Sequence, residues 1–265
     1  MTMRAGVAGR PIAHSLSPLI HNAWITAAGL DADYCAFGPA DAADFAALVA
    51  EGRAGRLRGL NITAPFKEPA LALADAVSPA ARACGSANLL LFEDGRVRAD
   101  STDGAGLMAA LAEQAPQLDV HGERVVVLGA GGAARAAVAA LRAAGAHVGV
   151  LNRTPARAEA LAADLGATVV DAEAPGRAAL VVNALSVAPD IDVSRLRDDA
   201  VLMDMTYRPL LTPFLQQGRS RGLVTVDGLA MLIGQAGPSF RAIFGIEPPG
   251  IDVRIVALAA LGETP

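Results

Sequence analysis

Cysteine is nearly absent: Cys35 and Cys84 are the two in 265 residues, far apart and without a CxxC or Cys/His ligand spacing. That excludes a disulfide framework and a thiolate metal centre, and both thiols are read as buried and free. The four histidines, His14, His21, His121 and His147, form no HExxH or paired-ligand pattern, so no metal is implied. Aromatic residues make up only 4%, so the core must be built from small aliphatic side chains. There is no excess of positive charge: 22 Lys and Arg stand against 27 Asp and Glu, a net charge of -5. Nucleic acid, whose phosphates require clustered cations, is therefore not an expected partner. No uninterrupted apolar run reaches the roughly 18 residues needed to cross a bilayer. Met1 to Arg10 reads as a short strand, without the charged and apolar regions of a secretory leader. The expectation is a soluble cytoplasmic protein, monomer or homodimer, with a small-molecule partner and no membrane.

What is present is 53% hydrophobic residues in short β-like runs that alternate with Ala-rich helical stretches. This is the α/β pattern. The first half reads as strands at Met3–Ala8, Tyr34–Phe37 and Gly59–Thr63, with helices at Pro18–Ala28, Asp41–Glu51 and Phe66–Ala76. Asn88–Phe92 and Arg96–Ala99 flank Glu93-Asp94-Gly95, a hairpin turn. A helix over Gly104–Glu113 and a polar segment over Gln114–Glu123 then lead to a second series of strands. These lie at Arg124–Leu128, His147–Leu151, Ala167–Val170, Leu180–Ala184, Val201–Met205 and Leu223–Val226. Their near-continuous apolar character is that of parallel strands covered on both faces. Helices at Leu229–Phe244 and Val253–Leu261 end the chain and can pack back on the first half. The predicted organisation is two α/β domains facing a cleft: a mixed substrate domain, 1–103 plus 235–265, and a Rossmann-like doubly wound NADP-binding domain, 104–234.

The strand Arg124–Leu128 runs directly into Gly129-Ala130-Gly131-Gly132-Ala133-Ala134 and then into a helical stretch, Arg135 to Ala144. This is strand, G-x-G-x-x-A, helix. Gly129 permits the tight turn, Gly131 lets backbone approach a pyrophosphate, and Ala134 lets helix and strand pack closely. The helix N-terminus adds unpaired N–H groups for phosphate oxygens. A glycine pattern alone often only connects elements, but the following βα unit strengthens it. That unit ends its strand at Asn152-Arg153-Thr154, where an NAD-binding protein carries Asp or Glu for the ribose 2′-hydroxyl. Arg153, with Arg157 one helical turn later, suits a 2′-phosphate instead. NADP is the expected cofactor; the plain alternative is two solvated arginines near a helix start.

Four polar clusters stand in the first half: Ser15 with Ser17, Asn61-Ile-Thr-Ala-Pro-Phe-Lys67, Asn88, and Ser101-Thr-Asp-Gly104. Three fall at strand ends or turns, where α/β proteins gather ligand groups. With the glycine turn, they resemble the shikimate dehydrogenase family, from Gly9-Arg-Pro-Ile-Ala-His-Ser-Leu-Ser-Pro18 to Asp227-Gly-Leu-Ala-Met-Leu-Ile-Gly-Gln-Ala236. The resemblance implies that Ser15 and Ser17 bind a substrate carboxylate and that Asn61, Thr63, Asn88 and Gln235 bond ring hydroxyls. Tyr207 then lies near substrate and nicotinamide, with Met205 and Gly228 on the cofactor side along with Gly129 to Ala133. Local explanations compete: Ser17-Pro18 suits an N-cap followed by Pro at N1, Asn and Thr often satisfy strand ends, and Tyr207 can be an ordinary half-buried Tyr.

Lys67 and Asp103 match the family's catalytic pair. Hydride reduction of a ketone leaves an alkoxide, which needs a proton and a nearby positive charge. An ammonium beside a carboxylate supplies both, although most lysines are solvated and Asp103 can simply cap a helix. The family implies reversible NADPH-dependent reduction of 3-dehydroshikimate to shikimate. Three positions depart from its usual pattern: Leu185 and Ala188, where Thr and Gly are common, and Leu89 after Asn88, where Thr is common. These make the nicotinamide side more apolar or tighter. Two other readings stay open: a quinate/shikimate dehydrogenase paralogue, and a diverged NADP-binding protein with little activity.

Overall fold

The computed structural model describes residues 2–263, which divide into two compact units. One takes the chain up to Thr102 together with Gln235 onward; the other takes Asp103–Gly234. The chain is α/β throughout, as the alternating pattern predicts.

In the first unit the elements run β1 (Met3–Ala8), α1 (Ser17–Ala28), β2 (Ala32–Phe37), α2 (Ala42–Arg53), β3 (Gly59–Ile62), α3 (Lys67–Ala72), β4 (Ala76–Val77), α4 (Pro79–Cys84), β5 (Leu89–Glu93) and β6 (Arg96–Asp100). They form a six-stranded mixed sheet of order β2-β1-β3-β5-β6-β4. β1 is parallel to β2 and β3, and β5 is antiparallel to both β3 and β6. A core around Phe45, Val49, Leu60, Phe66, Leu90 and Val97 packs on the sheet, with the Phe45 and Phe66 rings stacked at 4.7 Å. Burying each large apolar side chain of this kind contributes about 1.5–3 kcal/mol.

The second unit holds α5 (Asp103–Gln114), β7 (Arg124–Leu128), α6 (Gly132–Ala143), β8 (His147–Leu151), α7 (Pro155–Leu165), β9 (Thr168–Val169), β10 (Leu180–Asn183), β11 (Val201–Asp204), α8 (Pro213–Ser220) and β12 (Val224–Val226). All six strands are parallel, in the order β12-β11-β10-β7-β8-β9. Starting from β7, the chain builds outward to β9 on one side and then to β12 on the other. The sequence order thus reverses between β7 and β10, and in doubly wound sheets that switch point is where a ligand crevice opens. α9 (Gly228–Phe244) begins in this unit and ends in the first; α10 (Val253–Leu261) follows.

Three local expectations are corrected. The helix expected over Phe66–Ala76 stops at Ala72, and the short strand β4 and helix α4 follow it. Asp75 explains the break: its carboxylate takes Arg53 at 2.5 Å and the Val97 N–H at 2.7 Å, drawing the chain to the sheet edge. α4 has its own signals, Ser78 accepting from the Ala81 N–H at 3.1 Å, Pro79 in the first turn and Gly85 at the C-cap. Ser17 is not the N-cap of α1. The buried Leu16 caps that helix, and Ser17 is already helical. Finally, Cys35 is only half-buried, because β2 is an edge strand; Cys84 is buried, and both are free. A hydrogen bond from the Cys35 thiol to Asp33, together with burial, pushes that thiol's pKa up.

Among the described residues no helix is long and apolar enough to cross a membrane, and no His/Cys/Asp/Glu cluster is arranged to hold a metal.

Candidate active site

In the first unit, β5 starts beside the end of β3, and their antiparallel register sets Asn61 opposite Leu89. Asn61 and Asn88 are consequently neighbours, at 4% and 3% exposure. Two backbone groups decide how their amides lie. The Asn88 carbonyl can only accept, so the Asn61 atom 3.3 Å away is Nδ2, which also donates to Ser239 Oγ at 2.9 Å. Asn61 Oδ1 then accepts from the Tyr34 hydroxyl at 2.8 Å. The Thr102 N–H can only donate, so Asn88 Oδ1 faces it at 2.7 Å. Asn88 Nδ2 donates to Thr102 Oγ1 at 2.9 Å and to Gln235 Oε1 at 3.2 Å. Three predicted residues, Asn61, Asn88 and Gln235, are thereby joined in one buried network.

The other predicted groups of this unit lie in the segments that follow β1 and β3. Ser15 is half-buried and Ser17 buried; Ser15 Oγ accepts from the Ser17 N–H at 3.3 Å, a local role for Ser15 as well. Thr63 is half-buried just past β3, and its methyl sits against Gly9, where a Cβ would come within 2.2 Å. Lys67 is the half-buried first residue of α3, its carbonyl accepting from the Ala87 N–H at 2.9 Å.

In the second unit, Asp103 opens α5 and is 7% exposed. The glycine turn follows β7 at the switch point. Gly129 has φ +116°, a conformation that side-chain-bearing residues rarely adopt, and a Cβ there would lie 3.1 Å from Leu185 Cδ2. Over Gly131, the N-cap of α6, a Cβ would meet nothing within 4 Å, and no side chain caps that helix. Ala130, Gly132 and Ala133 lie beside it, with Gly132 opening the helix. The start of a 12-residue helix thus has no side-chain cap and open space beside its N-cap glycine, which fits a pyrophosphate.

At the end of β8, Asn152 Nδ2 donates to the Thr154 carbonyl at 2.9 Å and shapes the turn into α7. Arg153, Thr154 and Arg157 are exposed, and the first turn of α7 carries no acidic residue. Two guanidiniums beside a positive helix end, with no carboxylate, suit a 2′-phosphate rather than a ribose hydroxyl. Met205 continues β11, its N–H bonded to the Asn183 carbonyl at 3.0 Å. Gly228 starts α9 where a Cβ would lie 2.6 Å from the Met205 carbonyl oxygen, so close backbone packing alone requires glycine there. Tyr207 is half-buried in the loop between them.

Several residues that matter to this geometry were not singled out by the sequence. Tyr34 and Ser239 complete the amide network, which Thr102, of the polar cluster at 101–104, enters by both backbone and hydroxyl. Ser239 lies four residues after Gln235, hence on the same face of α9. That spacing was its one available signal. Asp204, 1% exposed, accepts from Asn183, Thr212 and the Thr206 N–H, anchoring the loop that carries Tyr207. His21 is fully buried and stacked on Tyr34 at 4.1 Å, and desolvation lowers its pKa to about 3.

A six-stranded doubly wound parallel sheet with this turn at its switch point defines a dinucleotide-binding α/β protein. Residues 7–90 match the family described as the shikimate dehydrogenase substrate binding domain, and residues 110–183 match shikimate / quinate 5-dehydrogenase. A shikimate dehydrogenase (NADP(+)) of Caulobacter vibrioides is 53% identical, with 97% of this chain and 95% of the relative covered. The structure of shikimate 5-dehydrogenase from Thermus thermophilus, in complex with NADP(H) and shikimate, superposes with a TM-score of 0.90. It is 38% identical, covering 97% of this chain and 99% of that one. Quinate dehydrogenase from Corynebacterium glutamicum, in complex with NAD, has a TM-score of 0.89 at 29% identity, covering 97% and 99% of the two chains. The chain belongs to the shikimate dehydrogenase family.

Proposed function

We propose that this chain catalyses the reversible, NADPH-dependent reduction of 3-dehydroshikimate to shikimate, and so serves aromatic amino-acid biosynthesis. What carries the reading is the buried amide cluster of Asn61, Asn88 and Gln235, suited to a polyhydroxylated ring, in a chain 53% identical to an NADP-dependent shikimate dehydrogenase. Ser15 and Ser17 take the ring carboxylate, and Thr63 joins the three amides on the ring hydroxyls. Bound NADPH supplies the hydride that reduces the carbonyl carbon. Lys67, as an ammonium, stabilises the oxygen as it gains charge and gives it a proton, and Asp103 is the carboxylate of the family's catalytic pair. In the reverse direction Lys67 takes the hydroxyl proton back.

Gly129, Ala130, Gly131, Gly132 and Ala133 cradle the pyrophosphate; Asn152, Arg153, Thr154 and Arg157 hold the 2′-phosphate. Met205, Tyr207 and Gly228 border the nicotinamide. The exposed arginines and the lack of a carboxylate at 152–154 favour NADP over NAD, and so favour shikimate dehydrogenase over the NAD-linked quinate reading. The same proposal places the chain in the cytoplasm as a monomer or homodimer; its two free cysteines accord with a reducing compartment. The test is a rate matrix of shikimate and quinate against NADP and NAD. Shikimate with NADP should be turned over fastest. Folded protein without turnover on saturating shikimate and NADP would discard the reading.

A further inference from the structure

We propose that Tyr34 and Ser239 are positioning residues whose hydroxyls hold the Asn61 amide in one orientation and so set which polar atoms the amide cluster offers a substrate. The inference rests on the reading that Asn61, Asn88 and Gln235 contact the ring hydroxyls.

An Asn side chain is nearly symmetric in shape but not in chemistry: one end donates and the other accepts. A buried amide that is free to flip would present a mixture of the two. Here both ends of Asn61 are held. Tyr34 has one proton, and it points at Asn61 Oδ1 from 2.8 Å. Ser239 also has one proton, which goes to the Gln235 carbonyl at 3.0 Å, one turn earlier in α9. Its oxygen therefore faces Asn61 Nδ2, at 2.9 Å, as an acceptor. Thr102 Oγ1 lies 3.1 Å from that same oxygen. Flipping Asn61 would set its Oδ1 against the Asn88 carbonyl and its Nδ2 against the Tyr34 hydroxyl, losing several bonds among atoms shielded from water.

Neither hydroxyl has room to move. Tyr34 is 1% exposed, with His21 stacked on its ring at 4.1 Å and 3°. Ser239 is 0% exposed. Burial raises the Tyr34 pKa well above 10.0, so the phenol stays a donor at any working pH. Both Asn61 N–H groups are already committed inside the protein. Asn61 thus offers a ring hydroxyl only the second lone pair of Oδ1, as an acceptor. Gln235 Oε1 faces Asn88 Nδ2 and Thr102 Oγ1, which ties its amide to the same network.

The experiment is steady-state kinetics of Tyr34→Phe and Ser239→Ala, singly and in an Asn61→Ala background, with thermal unfolding recorded beside each. Each single variant should raise the KM for shikimate about 3- to 10-fold, the effect of losing one buried hydrogen bond of about 1 kcal/mol. kcat and the KM for NADP should stay within about twofold, and in the Asn61→Ala background the added effect should vanish. A purely structural role predicts a lower unfolding temperature with shikimate KM unchanged; that result in both variants overturns the inference. So does a KM effect that persists undiminished without the Asn61 amide. Wild-type protein inert toward shikimate removes the substrate reading and this inference together, whereas active wild type beside variants of unchanged KM removes the inference alone.

Discussion

The two units bury their polar chemistry in opposite ways. In the first, the candidate ligand groups turn inward and satisfy one another: Asn61, Asn88, Thr102, Gln235 and Ser239 are all at most 7% exposed and all hydrogen-bonded. In the second, the sheet is mainly apolar, its buried polar pair Asn183 and Asp204 closing on each other at the ends of β10 and β11, while Arg153 and Arg157 stand exposed beyond the end of β8. The contrast teaches what each kind of ligand demands. A ring hydroxyl is recognised by direction, so donors and acceptors must be fixed, and rigid networks in a low dielectric do that. A phosphate is recognised by charge, and charges are cheapest to keep in water until the ligand arrives.

The strongest way to break this comparison is at Lys67. Replacing it with Ala should lower kcat about 10²- to 10⁴-fold, the usual worth of a positioned proton donor, with the shikimate KM changed far less. Stopped-flow or steady-state rates decide it; a tenfold loss or less would take Lys67 out of the chemistry. Next in size is the charge side of the contrast. Arg153→Ala with Arg157→Ala should cut the preference for NADP over NAD about 10- to 100-fold, two charge-assisted contacts being removed. Because both are exposed, the unfolding temperature and the shikimate KM should hold. A variant pair that keeps its cofactor preference would mean the arginines are only solvated.

A smaller effect probes the rigidity of the first unit. His21 takes up a proton near pH 6.5 when unfolded but only near pH 3 when folded, because burial disfavours its charge. The unfolded state therefore binds more protons in that window. The stability linked to His21 is complete above pH 6.5 and falls as the pH drops toward 3, by about 1.4 kcal/mol per unit. Denaturant unfolding across pH should show that His21→Phe flattens this slope, and an unchanged slope would contradict the shift. The smallest change is expected at Leu185, which packs over the Gly129 turn and against the core of the second unit. Leu185→Thr should lower stability by about 1 kcal/mol, with kcat within about threefold, so that this departure from the family's usual residue tunes packing rather than chemistry. A rate gain above tenfold would show instead that Leu185 restrains the reaction.

Legibility followed the distance over which each feature is decided. The turn at Gly129–Ala134 was readable because strand, glycines and helix are contiguous, and the mixed and parallel halves were readable from their runs of apolar residues. Ser78-Pro79 and Gly85 are equally local signals for α4, whereas the early stop of the helix expected over 66–76 depends on Asp75 bonding Arg53, 22 residues away. Asn61 and Asn88 were recognisable as polar residues at strand ends. Their partners were not. Tyr34 is 27 residues from Asn61 and Ser239 is 178, and no periodicity joins positions so far apart.

The order of amino acids was enough to specify two α/β units, the glycine turn after β7 and the absence of a carboxylate at 152–154, since backbone preference and hydrophobic spacing act between near neighbours. Which end of each buried amide faces its surroundings, and which hydroxyl holds it there, came only with the folded chain. Those choices belong to atoms brought to within 3.3 Å of one another by sheet pairing and helix packing, where a lost partner cannot be replaced by water.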